Sequence, residues 1–124
     1  MDATDLQFLD ESFNTAASFF TFMYLNQDIR EKVLIEIYRV LKPNGRLLLW
    51  DVIVPAKSED PKHEMFMVQV SLTLHNGKEV NTGYGTPFKR HQTAEEYKKL
   101  AKKVGFNLTT ETTKDQIFYL EFTK

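Results

Sequence analysis

Two apolar runs flanking one amphipathic segment constrain this chain more than any other feature. Phe13–Phe20 (FNTAASFF) is short, nearly free of charge and without polar alternation. Such a run suits a strand buried on both faces, as in a parallel sheet, although periodicity alone also fits a buried helix. Arg46–Val54 (RLLLWDVIV) reads as a second buried strand, closed by Pro55. Between them Ile29, Val33, Ile37 and Leu41 recur every four residues with Leu34 and Val40 beside them, while Glu31, Lys32, Glu36 and Arg39 fall on other faces. That spacing predicts an amphipathic helix, with Asp28 as the expected N-cap. Lys42-Pro43-Asn44-Gly45 stops it, because proline cannot continue a helix and Asn-Gly suits a turn needing positive φ. Strand, helix and strand in this order predict a right-handed βαβ unit.

The remainder is less regular. Ala56–Lys62 reads as a charged loop. Met67–His75 alternates loosely, and Asn76-Gly77 with Lys78–Tyr84 predicts a hairpin closed by a type I′ turn. Thr93-Ala94-Glu95-Glu96 has the form of a capping box, with Thr93 bonding the N3 amide and Glu96 reaching back. Tyr97, Leu100, Ala101 and Val104 then form one helical face, and Gly105 supplies the residue beyond the helix end. Phe106–Thr113 and Gln116–Thr123 read as two antiparallel strands about a Lys114-Asp115 turn. The expected architecture is α/β within a single domain over 1–124: βαβ, an inserted hairpin within 57–91, a helix and two C-terminal strands.

Composition narrows the function classes. The 124 residues fit one domain with a modest core, and 42% apolar with 27% charged is that of a globular domain. Sixteen basic residues stand against seventeen acidic, a formal charge of -1. No excess of either sign points to nucleic acid or an anionic membrane. The absence of cysteine excludes disulfides, thiolate metal sites and cysteine nucleophiles. His63, His75 and His91 are too widely spaced for a metal pattern. Met1–Asp5 lacks a signal-peptide pattern and no apolar run is long enough to span a bilayer, so a cytoplasmic location is the default expectation.

Three stretches carry a resemblance. Asp2-Ala3-Thr4-Asp5-Leu6-Gln7-Phe8 with Asp10-Glu11-Ser12-Phe13-Asn14, then Glu36–Leu47 (EIYRVLKPNGRL), then the Thr93–Phe106 helix closing on Gly-Phe, resemble successive segments of class I S-adenosylmethionine-dependent methyltransferases of the type-11 family. The likeness covers most of the chain outside about Lys57–His91, with Gln7 where proline is usual and Asn44 where glycine is usual. It implies a partial Rossmann-like sheet and transfer of a methyl group from S-adenosylmethionine to a small-molecule acceptor. Such enzymes open with a strand, a D-x-G-x-G-type loop and a helix, followed by a strand ending in an acid. This sequence contains none of these, and its glycines stand at 45, 77, 83, 85 and 105. Gly83-Tyr84-Gly85 is a lone G-x-G whose setting suits a hairpin end. The expectation is the C-terminal half of the fold, binding the cofactor weakly or not at all by itself. The alternative is a non-catalytic remnant serving as an oligomerisation or interaction module.

The resemblance also places residues. Asp2 would accept from the adenine amine and Ala3 would contact the ring edge through its backbone, against the simpler reading of an acidic terminus. Ser18 and Phe19 would line the methionine portion of the cofactor at the C-terminal edge of the first strand. Core packing is the simpler reading for Phe19, Phe20 and Phe22, so Ser18 is the better contact candidate. Asp51 could orient an acceptor or serve as a base, although a capping or turn role suits it better, and Tyr84 and His91 are further acceptor-side candidates. Lys98, Lys99, Lys102 and Lys103 read as the solvated face of the last helix. No catalytic residue is assigned, because methyl transfer from a sulfonium is a direct displacement that chiefly demands alignment. The implied sheet order, 3-2-1-4-5-7-6, makes the strand at Phe13 the fourth, without its usual neighbour. An unblunted apolar edge is thus expected, paired in a homodimer.

Overall fold

A computed structural model describes residues 1–56, 62 and 64–124. The expected βαβ unit is present: β1 (Phe13–Phe19), α1 (Gln27–Val40) and β2 (Leu41–Val52), with β1 and β2 parallel. A hairpin, β3 (Met65–Thr73) and β4 (Glu79–Pro87), forms its own two-stranded ribbon. Helix α2 (Ala94–Val104) and the strands β5 (Asn107–Lys114) and β6 (Ile117–Thr123) follow. The main sheet runs β1-β2-β6-β5, and β6 pairs antiparallel with both of its neighbours. That is the 4-5-7-6 end of the order implied by the resemblance.

The core lies between one sheet face and the two helices. Leu47, Leu49, Leu120, Phe122 and Phe118 meet Val33, Leu34, Tyr97 and Ala101, all buried. A second, smaller cluster of Met23, Val52, Val54 and Val68 joins the end of β2 to the hairpin. The opposite sheet face carries Trp50 stacked on Tyr119 at 4.5 Å, with Phe19 edge-on at 6.1 Å.

Several expectations are corrected. Asp28 is not the N-cap of α1; Asn26 holds that position and Asp28 lies in the first turn. Asn26 makes no side-chain cap bond, because its Oδ1 accepts from Arg90 Nε at 2.9 Å. Strand β1 is not buried on both faces: Ser18 is its one buried residue, since among the described residues β2 is its only partner strand. Residues 42–45 bulge out of the β1/β2 ladder between Phe13↔Leu41 and Thr15↔Arg46, with Asn44 at φ 63° supplying the positive φ that the Asn-Gly pair suggested. The hairpin turn is not type I′. Gly77 alone of its central pair has positive φ, 82°, and the bonds Gly77 N–H to Leu74 O and Leu74 N–H to Lys78 O enclose a three-residue loop. A turn followed by a glycine in the left-handed region closes such loops with the right strand twist.

Helix α2 begins as expected, with Thr93 Oγ1 accepting from Glu96 N at 3.3 Å, and ends at Gly105 with φ 127°. The reciprocal half of the capping box is absent, because the Glu96 carboxylate faces Arg30 at 3.8 Å and His91 at 3.7 Å. Lys98 is no free solvated charge either; it bridges Glu95 and Glu111. His63 lies outside the described residues. Among the described residues, no helix is long and apolar enough to cross a membrane and no group of His, Asp and Glu could hold a metal ion.

Candidate functional site

The C-terminal ends of β1 and β2 lie side by side, with Ser18 opposite Leu49 and Phe19 opposite Trp50. In open α/β sheets this edge is where ligands bind. The end of β1 and a buried polar network stand at this edge, and the N-terminal segment is fastened separately to α1.

The N-terminal segment is fixed to α1 by the Glu36–Arg39 pair. Leu6 N–H donates to Glu36 Oε2 at 2.8 Å, while Arg39 donates to Leu6 O, Phe8 O and Asp10 Oδ1 at 2.9, 2.9 and 2.6 Å. Arg39 also forks onto both Glu36 oxygens at 2.9 Å. This two-pronged bonding to Arg39, with the Leu6 amide, holds the Glu36 carboxyl down at about 2. Glu36 and Arg39 sit on one side of the helix because they are three residues apart. Sequence reading placed them merely off the apolar face; here they fasten the segment that carries Asp2 and Ala3. Asp2 Oδ1 accepts from the Thr4 amide and hydroxyl at 2.8 and 2.7 Å, which keeps its carboxyl ionised below the usual range. Asp2 and Ala3 are both exposed.

At the end of β1, Phe19 is 61% exposed, so it is not a core residue, and it rests on Phe20 at 4.3 Å. Ser18 faces the other way and is buried, and its hydroxyl has no hydrogen-bond partner among the described residues. Phe20 sits at φ 50°, an unusual conformation for an aromatic residue, and its amide donates to Trp50 O at 2.9 Å. The chain thus reverses sharply where β1 ends, and a short 3-10 turn, Phe22–Tyr24, follows.

A buried polar network fixes that turn. Asp51 is fully buried; it accepts from Met23 N at 3.2 Å, Val52 N at 2.9 Å and Gln92 Nε2 at 2.8 Å. Burial raises its pKa, against the lowering effect of these bonds. Gln92, also fully buried, donates a second bond to Val52 O at 2.7 Å and accepts from Tyr97 Oη at 2.5 Å. Thr86 of β4 donates to Met23 O at 2.8 Å. One carboxylate therefore joins the 3-10 turn, the end of β2, the strap of residues 88–93 between β4 and α2 and, through Met23, the hairpin. Asp51 has the capping role weighed for it, with its oxygens occupied by protein donors.

The remaining candidates separate. Tyr84 is brought beside the Asp51 network, edge-on to Tyr24 at 6.5 Å. Burial, then Tyr84 and Asp51, raise the Tyr24 pKa. His91 lies apart from Tyr84, between Gln27 and Glu96, where Arg30 Nη1 donates to its carbonyl at 2.9 Å. Arg30 is 2% exposed, with its guanidinium over the Tyr97 ring at 5.6 Å and its Nε unpartnered. Sequence reading missed Arg30, Gln92, Tyr97 and Thr86 as a set. Only the placement of Gln92 immediately before a helix cap hinted at a fixed strap.

Comparison with known proteins bears on the fold. A family model described as a methyltransferase domain matches residues 1–49. Over 57 residues the chain is 42% identical to the ubiquinone/menaquinone biosynthesis C-methyltransferase UbiE of Desulfotalea psychrophila, a stretch covering 46% of this chain and 22% of that protein. The fold matches an S-adenosylmethionine-dependent methyltransferase from Methanosarcina mazei at TM-score 0.71 and 18% identity, covering 100% of this chain and 65% of that one. It also matches the Burkholderia thailandensis 1,6-didemethyltoxoflavin-N1-methyltransferase, solved with 1,6-didemethyltoxoflavin and S-adenosylhomocysteine, at TM-score 0.63 and 12% identity, covering 100% of this chain and 48% of that one. The aligned stretches thus span between about a fifth and two-thirds of these relatives.

Proposed function

We propose, from a chain that has the S-adenosylmethionine-dependent methyltransferase fold throughout and that family's sequence over residues 1–49, that it forms the acceptor-side part of such an enzyme and serves methyl transfer to a small-molecule acceptor. The observation that supports this most is one coincidence. The matched sequence runs from the anchored Asp2–Phe8 stretch through β1 and α1 into β2, and so includes the end of β1 where Ser18 and Phe19 stand.

The groups these residues offer suit the cofactor's chemistry. Ser18 offers a buried hydroxyl without a partner, and Phe19 an exposed aromatic face. Asp2 offers an ionised carboxylate and Ala3 an exposed backbone. In the proposal Asp2 and Ala3 hold the adenine, and Ser18 and Phe19 border the methionine portion. S-adenosylmethionine, when bound, supplies an electrophilic methyl group on a sulfonium. The protein's share is alignment and exclusion of water. Asp51 acts as a positioning residue by fixing Met23 and hence the turn after β1. Tyr84 borders the acceptor side through Tyr24, and His91 marks the outer wall by the helix pair. The hairpin within 57–91 is the insertion that adapts the acceptor side. The proposal sets this chemistry in the cytoplasm.

Nitrogen-15 correlation spectra of the 124-residue chain titrated with S-adenosylhomocysteine test the reading. Shifts should cluster at Asp2–Thr4 and Ser18–Phe20, with affinity weaker than the micromolar range, about -8 kcal/mol. Absence of shifts at these residues at millimolar ligand would overturn the cofactor assignment.

A further inference from the structure

We propose that the cleft between β3 and the β5–β6 turn is an acceptor-binding site for a flat, uncharged group with adjacent hydrogen-bond donor and acceptor, such as an amide, a lactam or a ring-nitrogen heterocycle. The cleft has a volume of about 220 Å³. Phe20 and Val52 close it at the ends of β1 and β2, Val68 to Ser71 form one wall, and Asp115 and Gln116 form the other. Naming it an acceptor site rests on the methyltransferase reading, because the cleft opens at the same strand ends as Ser18 and Phe19.

Three observations specify the ligand. Among the described residues β3 pairs with β4 alone, so its other edge carries backbone N–H and C=O groups without a strand partner there. Residues of both parities, Val68 to Ser71, line the cleft, so the cleft runs along that free edge. A free strand edge presents donors and acceptors in one plane, and the complement of such a row is a flat group that presents both. Second, the body of the cleft is apolar. Phe20, Val52, Val68 and Val70 belong to the smaller core cluster, and the left-handed Phe20 backbone places this residue there. Third, the charge is wrong for an anion. Among the described residues the lining holds no lysine or arginine and one acid, Asp115, which would repel a carboxylate or phosphate. The size is also limiting: at roughly 30 Å³ for each water-sized group, the space holds about seven such groups, the size of a small ring with one substituent.

Binding of two matched probes to the full 124-residue chain tests this without S-adenosylmethionine. Benzamide and benzoate share a ring and differ in carrying a neutral donor–acceptor pair or a negative charge. Benzamide should shift the amides of Gln69–Ser71 and Asp115–Ile117, and benzoate should bind about tenfold more weakly. In Gln116→Lys, an exposed turn substitution, benzoate should gain about tenfold while benzamide changes little. Equal binding of both probes to the wild type, shifts elsewhere on the protein, or no benzamide binding at millimolar concentration would each overturn the assignment. Benzamide mapping to the cleft while S-adenosylhomocysteine leaves Ser18 and Phe19 unmoved would retain the site and remove the transferase reading.

Discussion

Replacing Gln92 with leucine should cost this protein a large part of its stability, because the side chain is fully buried and satisfies three partners at once. It donates to Asp51 Oδ1 at 2.8 Å and Val52 O at 2.7 Å and accepts from Tyr97 Oη at 2.5 Å. Leucine has similar volume, so the change is mainly the loss of hydrogen bonds rather than a cavity. Each neutral buried group left unpaired costs about 1–3 kcal/mol, and a bond to a charged group is worth about 1.5–3 kcal/mol. Val52 O, Tyr97 Oη and the Asp51 carboxylate together give an expected loss of about 3.5–9 kcal/mol, against a total of about 5–15 kcal/mol for a typical domain. Urea denaturation followed by circular dichroism measures it. Gln92→Leu combined with Tyr97→Phe should recover about 1 kcal/mol, since one stranded hydroxyl is then gone. The pH response carries a second signature. The folded pKa of Asp51 lies above its ordinary value of 3.8, so its protonated form favours folding and its contribution is lost as pH rises through the folded pKa. The Gln92 bond lowers that pKa, so Gln92→Leu should move the loss to higher pH. A change below about 1 kcal/mol with no pH displacement would refute the network argument.

Further outcomes follow from other features. Gly77→Val should destabilise by about 1–2 kcal/mol in a denaturant melt, because φ is 82° while no atom lies within 4 Å of the added Cβ, leaving backbone strain as the whole cost; a neutral result would mean that the loop relaxes freely. Glu36→Gln should loosen residues 1–10 and speed proteolysis there. The wild type should show the same release on acidification, since a carboxyl held at about 2 against an ordinary 4.5 gives stability present above 4.5 and lost as pH falls toward 2; a wild-type cleavage rate unchanged over that interval would count against the anchor. Light scattering should find a homodimer paired along the free edge of β1, where no lysine, proline or bulge lies between Thr15 and Phe19. Ala16→Lys should return it to a monomer, and a wild-type monomer at micromolar concentration would end this proposal.

What the sequence determined was local. The period of Ile29, Val33 and Ile37, the proline at 43, the Thr93 cap and Gly105 each fix backbone states through neighbours a few residues away, and each element appeared within five residues of its expected bounds. The strand order was legible through the resemblance. Other features depended on groups remote in sequence. Asn26 displaced Asp28 at the head of α1 while its side chain was taken by Arg90, sixty-four residues on. Glu96 left the capping box for Arg30 and His91. Phe19 read as core and proved exposed, because burial depends on which strand lies alongside and β1 has one neighbour. Asp51, Gln92, Tyr97 and Thr86 became one network only when β2, the strap, α2 and β4 met around Met23. A polar side chain carries no period that announces its partner, and whether it is a solvated surface group or a buried clamp is decided by the elements that close over it.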